Sequence, residues 1–354
     1  MYLKLPLLSS FLDKKDFEYV YQPSATISLM NIIKGLNVKS IAVPGFLCEE
    51  ILLIFYNLDI QINFYKLDAD FSPILKKKHV ESECLFICDY FGKPIKNSNN
   101  LEFYINKTCK PIIIDRCHSL LAGSEINTKN NLVYRNNIYL FYSLRKFLPI
   151  INGCLLISKK KDIVILHKNK FFISKKKKFT TYIKNFIKVN FNNNKIGRSL
   201  LGIKRLFLIN KNSLNQINGF NITTPNLNKK KIELGYYFKD LDIRYKNYIY
   251  PKVLNKLMKE KDYEIKNIKK DIEYFINKKN FEIKESNINY GSEYGVVIKF
   301  KPNTSKFEIE NNLIKPLLKI NRKVEIFLWP FNINQSYEID NLVFSPIILV
   351  IPKF

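Results

Sequence analysis

The 354 residues predict an α/β protein, with a large domain on a mostly parallel sheet and then a small C-terminal α+β domain. Three observations predict it. Short runs that are apolar throughout, such as LFIC at 85–88 and PIIID at 111–115, suit strands covered on both faces. Stretches with helical spacing separate the early runs, and that alternation marks strand–helix–strand units. Beyond residue 230 the alternation gives way to one long helical pattern and then short strands. The large domain is therefore assigned to 1–230, and a linker helix with the small domain to 231–354.

The elements follow in chain order. SATISLMNIIKGLN, 24–37, carries apolar residues at helical spacing and opens on Ser and Thr, which favour a helix start. SIAVP, 40–44, is a short strand, and FLCEEILLIFYN, 46–57, is a helix. QINFYKLD, 61–68, alternates as a strand does, and ECLFICDYFG, 83–92, is a buried strand ending on a glycine. A polar helix is expected over 98–107, then strands at 111–115, 138–143 and 154–158. The Lys- and Asn-rich stretch 160–230 holds only amphipathic pieces. A long helix is expected over 231–260, interrupted near Pro251, then strands at 294–300, 323–330 and 346–352 with a helix over 306–318.

Composition narrows the function classes. Hydrophobic residues make up 46% and aromatics 14%, enough for a packed core. The net charge of +27 invites a nucleic-acid reading, yet the lysine runs at 76–78, 159–161, 175–178 and 229–231 are scattered. Lys, Asn and Ile are abundant along the whole chain, the bias expected of an AT-rich genome. Clustering on one face is the footprint of nucleic-acid binding, so no nucleic-acid partner is expected. Cys48, Cys84, Cys88, Cys109, Cys117 and Cys154 form no CxxC pair, which points to free thiols in a reducing compartment and to no metal site. The apolar PLLSSFL near the N-terminus is too short for a signal peptide. No stretch approaches the ~18–20 apolar residues of a membrane span. A cytoplasmic protein is expected.

Ligands in parallel-sheet folds bind beyond the carboxyl ends of the strands. Asp115 closes one apolar strand, Ser143 closes another, and Lys146 follows three residues later. Ser143-x-x-Lys146 resembles the serine nucleophile element of penicillin-binding enzymes, but that mechanism also needs S-D-N and K-T-G elements, and neither occurs. With 58 Lys plus Arg, the spacing can also arise by chance. The third reading makes Lys146 a Schiff-base lysine for pyridoxal phosphate, with Phe147, Leu148 and Pro149 as an apolar setting. The cofactor then needs a carboxylate for its pyridine nitrogen, which Asp115 can supply. It also needs hydroxyls and helix-start N–H groups for its phosphate, which Ser24, Thr26 and Ser143 can supply.

On these residues the chain resembles the DegT/DnrJ/EryC1/StrS sugar aminotransferases, fold-type I pyridoxal-phosphate enzymes. IIIDRCHSLL, 112–121, and YSLRKFLPIINGCLL, 142–156, carry the resemblance; SATISL, 24–29, VPGFLCEEI, 43–51, and DYFGKP, 89–94, support it. LWPFN, 328–332, and ILVIP, 348–352, resemble parts of the family's small domain. The resemblance implies that Lys146 binds the cofactor and shuttles protons, that Asp115 pairs with the ring nitrogen, and that His118 hydrogen-bonds near the ring hydroxyl. It further implies that Ser24, Ala25, Thr26 and Ser143 hold phosphate and that Phe46 lies against the ring. Bland alternatives stand beside these roles: Ser24 and Thr26 as helix caps, Phe46 as core. Asp89, Tyr90, Arg116, Arg145 and Trp329 are left unranked near the pocket.

The chain departs from the family pattern at Ala25, where a glycine is usual, and at Ile151-Asn152-Gly153, where Pro-Asp-Gly is common. It also stops at Phe354, where the family usually adds a last helix. A dehydratase subgroup carries histidine in place of the lysine, and Lys146 argues against that chemistry. The expected activity is transfer of an amino group from an amino acid, glutamate by preference, to a nucleotide-linked keto sugar. That reaction belongs to polysaccharide, lipopolysaccharide or O-antigen synthesis, and the family forms homodimers. The rival expectation is a catalytically degenerate relative that serves as a binding or scaffold protein.

Overall fold

The computed structural model describes residues 17–68, 71–92, 108–119, 137–148, 153–159, 251–278, 288–289, 294–300, 305–320, 322–329 and 345–351. The expected polar helix over 98–107 and the domain boundary at 230/231 lie outside them.

The first body is built from β1 (Phe17–Gln22), α1 (Ala25–Leu36), β2 (Ser40–Pro44), α2 (Glu49–Asn57), β3 (Gln61–Leu67), β4 (Pro73–Ile74), α3 (Lys77–Glu81), β5 (Cys84–Cys88), β6 (Ile112–Asp115), β7 (Ile138–Ser143) and β8 (Cys154–Lys159). Its eight strands run in the order β1-β8-β7-β6-β5-β2-β3-β4. The five central strands, β7-β6-β5-β2-β3, are parallel. Both edges are antiparallel additions: β8 on β7, β1 on β8, and β4 on β3. The class is the expected one, an α/β body with a mostly parallel sheet. Strands β5 and β7 are buried at every position, which is why they read as nearly unbroken apolar runs.

Helix α1 forms where its spacing predicts. Ser24 has extended backbone, and its Oγ accepts from the N–H of Ile27 at 3.1 Å. Asn37 closes the helix in the left-handed region at φ 50° and donates its N–H to the Ile33 carbonyl. The buried face of α1, Leu29, Ile32 and Ile33, packs in one core with Leu52 and Phe55 of α2, Ile41, Val43, Phe86, Ile113, Phe141 and Leu156.

The second body comprises α4 (Pro251–Lys278), β9 (Ile288–Asn289), β10 (Val296–Lys299), α5 (Lys306–Ile309), a π turn over Glu310–Ile314, α6 (Lys315–Lys319), β11 (Lys323–Trp329) and β12 (Ser345–Ile351). Four antiparallel strands run β11-β12-β10-β9. Ile268 and Ile272 of α4 close over Val296, Ile298, Leu313, Leu317 and Val350. This is the α+β arrangement expected after the long helix.

The structure differs from the sequence reading at four points. Strand β1 was not anticipated; it is an edge strand following the charged Asp13-Lys14-Lys15, and its pairing partner lies more than a hundred residues away. Helix α2 begins at Glu49 rather than 46, because 45–48 form a loop that packs Phe46 and Leu47 half-buried. The described part of helix α4 opens at Pro251, and the expected helix before it, 231–250, lies outside the described residues. The helix then runs to Lys278, past the expected end. The helix over 306–319 contains a π turn just before Pro316, whose missing N–H breaks the regular ladder there.

Candidate functional site

Three chain segments meet at the carboxyl ends of β6 and β7. Parallel pairing sets Asp115 opposite Phe141, so Asp115 and Ser143 leave neighbouring strands on the same side of the body. Antiparallel pairing sets Ser143 opposite Cys154, and Cys154 opposite Gln22. The ladder continues past the strand ends: Leu144 N–H donates to the Gly153 carbonyl at 3.0 Å, and Gly153 N–H donates to the Pro23 carbonyl at 2.9 Å. This register carries the Ser24 cap of α1 to the end of β7. Gly153 makes the join possible, since its φ of 137° is a conformation that residues with a Cβ rarely adopt.

Helix α1 therefore presents its first turn beside Ser143. The N–H groups of a first turn lack carbonyl partners within the helix and attract anions. Ser24 is a true cap, as the bland alternative had it, and capping leaves its hydroxyl proton available. Ala25 packs against the core, and Thr26 is half-buried in the same turn. Ser143 is 3% exposed, and its hydroxyl does not cap the one-turn helix Leu144–Lys146 that follows.

Asp115 is partly buried. Burial pushes its carboxyl above the ordinary range, while the nearby Lys146 ammonium and the N–H of Cys117, donating to Oδ1 at 2.8 Å, pull it back. Lys146 is half-buried on the turn after β7, with its Nζ 5.4 Å from the centroid of the Tyr294 ring. Phe147 and Leu148, the apolar setting read from the sequence, are buried; Pro149 lies outside the described residues.

His118 lies three residues past Asp115, inside a stack. Tyr294 lies 4.3 Å away at 9° and Phe91 lies 6.1 Å away at 10°. Burial first, then the charges of Lys146, Lys261 and Lys323, push the imidazole well below its ordinary 6.5. His118 is therefore uncharged at neutral pH.

Phe46 packs on Tyr90, with centroids 5.4 Å apart, and accepts from the Tyr90 hydroxyl through its carbonyl. No described contact joins it to Asp115 or Lys146. Its loop does reach the site through Cys48, which lies within electrostatic range of both. Of the unranked residues, Asp89 and Arg116 form a buried ion pair at 2.7 Å, and Arg116 also donates to the Tyr142 hydroxyl at 3.2 Å. Arg145 is exposed, and the side chain of Trp329 lies outside the described residues.

Sequence reasoning missed Cys48, Tyr294 and Lys261. Lys261 is 1% exposed, with its Nζ 4.0 Å from the Phe147 ring centroid. Cys48 lies within the 43–51 segment already singled out, whereas Tyr294 and Lys261 belong to no site pattern and arrive by folding across a long separation. Among the described residues there is no group of three or more metal-ligating side chains, and no helix long and apolar enough to cross a membrane.

No model of a known protein family matches this chain, and no curated protein matches it. Solved structures of related chain course exist. The histidinol-phosphate aminotransferase from Clostridium acetobutylicum aligns with 14% identity and a TM-score of 0.49, over 98% of this chain and 83% of that one. An aminotransferase from Staphylococcus aureus aligns with 13% identity and a TM-score of 0.35, over 46% and 49%. Cystalysin from Treponema denticola, a structure containing pyridoxal 5'-phosphate, aligns with 9% identity and a TM-score of 0.34, over 42% and 44%.

Proposed function

We propose that this chain is a pyridoxal-phosphate-dependent aminotransferase. The observation that carries the reading is the convergence at one sheet end of a partly buried carboxylate, Asp115, a lysine, Lys146, and a capped helix start tied by the ladder to the strand of a buried serine, Ser143. The donor set suits the group. A phosphate dianion fits the first turn of α1, where Ser24, Ala25 and Thr26 supply N–H and hydroxyl donors and Ser143 faces them across the ladder. A protonated pyridine nitrogen needs a carboxylate, and Asp115 is held in place through the Cys117 N–H. When bound, pyridoxal phosphate supplies an electron sink for charge developing at the amino-bearing carbon of a substrate.

The side chains divide the remaining work. Lys146 would hold the cofactor through its Nζ amine and, with substrate bound, would move a proton on Nζ to and from the substrate carbon. Asp115 would supply the negative charge for the ring nitrogen, and its partly buried setting would strengthen that pairing. Uncharged His118 can both donate and accept a hydrogen bond at the ring edge. Phe46 is proposed as the wall against the ring, since its loop reaches the site through Cys48.

The amino donor is an amino acid, glutamate by preference, and the acceptor a nucleotide-linked keto sugar of the kind used in surface-glycan synthesis. Support for the sugar comes from the DRCH and SLRK elements and from LWPFN and ILVIP further on. The proposed assembly is a homodimer in the cytoplasm, with large and small domains meeting near residue 230.

The test is an absorbance spectrum of the purified chain with pyridoxal phosphate. A band near ~420 nm, removed by borohydride and absent in Lys146→Ala, is expected of a lysine carrying the cofactor. A folded protein without a lysine-dependent band would sink the aminotransferase reading and favour a degenerate relative.

A further inference from the structure

We propose that Tyr294, supplied by the C-terminal sheet, is a positioning residue of this site that holds the His118 imidazole in a fixed plane. The inference rests on the aminotransferase reading for its catalytic meaning, but not for its geometry.

The first observation is the stack itself. Three rings lie nearly parallel, with His118 at 9° to Tyr294 and 10° to Phe91. Parallel stacking at 4.3 Å restricts rotation about the imidazole χ2, the torsion that decides where its two nitrogens point. A histidine turned by a right angle would lose this contact and aim its nitrogens elsewhere.

The second observation is that Tyr294 is itself tightly placed. It is 7% exposed and touches Phe147, with centroids 5.9 Å apart, next to Lys146 in sequence. Its neighbour Gly295 leaves no slack: an added Cβ would lie 2.5 Å from the Val350 carbonyl oxygen and 3.0 Å from Leu349 Cδ1. The backbone thus lies directly on β12, and the direction in which Tyr294 leaves β10 is set by that packing. The Tyr-Gly pair at 294–295 is the sequence trace of this arrangement.

The third observation is convergence. Lys146 Nζ lies 5.4 Å from the Tyr294 centroid and Lys261 Nζ lies 5.9 Å from it. One aromatic ring therefore stacks on the histidine and lies within 5.9 Å of both lysine Nζ atoms. The charged groups facing His118 are Lys146 from the turn after β7, Lys261 from α4 and Lys323 from β11. Removing the ring would admit water among them. The imidazole would then move toward its ordinary titration range as burial, the largest cause of its depression, is relieved.

The experiment is proton NMR of the full chain without cofactor, with the His118 Cε1–H signal assigned by its loss in His118→Gln. In the wild type the signal should be shifted upfield by the Tyr294 ring, and its midpoint should lie below the ordinary imidazole value of about 6.5. Tyr294→Phe should keep both properties. Tyr294→Leu should lose the upfield shift and raise the midpoint toward about 6.5. A wild-type signal with no upfield shift overturns the proposal, and this holds even where Tyr294→Leu does not fold. A folded Tyr294→Leu with an unchanged signal and midpoint also overturns it. In protein loaded with pyridoxal phosphate, Tyr294→Leu should lower kcat by ~10- to 100-fold with little change in KM, as expected of lost orientation, and Tyr294→Phe should restore it. If no lysine-dependent band forms, the aminotransferase reading fails while the NMR result still decides the stack.

Discussion

His118 and the cysteines show how strongly burial shapes chemistry at single residues. The folded His118 titrates well below 6.5, so between that depressed value and 6.5 the unfolded chain binds a proton that the folded chain does not. Stability from this residue is full above about pH 7 and is lost as pH falls through the window down to the folded value. Denaturant midpoints across pH 7 to 5 should therefore decline in the wild type, and less steeply in His118→Gln. His79 is also depressed by burial and supplies part of the slope in both proteins. The six cysteines, all free, divide by exposure. Cys84, Cys88, Cys117 and Cys154 are buried with thiols pushed up by burial, Cys154 to about 12; Cys48 and Cys109 are exposed, although desolvation raises the Cys48 thiol as well, so Cys48 should react more slowly than exposure alone suggests. Since the thiolate is the reactive form, a thiol reagent should label Cys48 and Cys109 in the native protein and the other four only after denaturation. Bound pyridoxal phosphate should slow Cys48 specifically, because its loop borders the site.

At the scale of elements, the strand ends are tied together by polar groups rather than by packing alone. Asp89 follows β5, Arg116 follows β6 and Tyr142 sits near the end of β7. The Asp89–Arg116 ion pair and the Arg116–Tyr142 hydrogen bond link these three neighbours. Backbone bonds reinforce the same junction: Asp89 N–H donates to the Asp115 carbonyl and Arg116 N–H to the Phe141 carbonyl, each at 2.9 Å. Asp115 lies within this frame, so its placement depends on residues that never touch a substrate. Arg116→Leu should leave the Asp89 carboxylate buried without its partner and cost about 3–5 kcal/mol, measured by chemical denaturation. Asp89→Asn combined with Arg116→Leu should cost less than that single change, because the stranded charge is removed.

Across the whole molecule there are two bodies with separate cores. The first core spans α1, α2 and the large sheet, and the second spans α4, the π-turn helix and the small sheet. Among the described residues, Tyr294 stacks on His118 and Lys261 lies over Phe147, so residues of the second body border the proposed site on the first. Much of the first body was legible in the sequence. Strands β2, β5, β6, β7 and β8 are unbroken apolar runs, and helix α1 has a cap, an apolar face and an Asn stop. Asp115 and Ser143 were legible for the same reason, as the first polar residues after buried strands. Strand β1 was not, because an edge strand needs no apolar run and draws its pairing from a distant partner.

The amino-acid sequence by itself determined the α/β class, most strand and helix positions around the site, and the candidacy of Asp115, Ser143 and Lys146 at strand ends, while His118 entered through the family resemblance. The first set is written in local periodicity, caps and short-range spacing, which a chain carries before it folds. The tertiary structure alone decided that the start of α1 is tied through Gly153 to the end of β7, that Phe46 turns to Tyr90, and that Tyr294 and Lys261 lie against His118 and Phe147. These juxtapositions depend on strand register and on the packing of one body against another. Both are long-range properties, fixed by which apolar faces bury each other and not by any residue's neighbours in the chain.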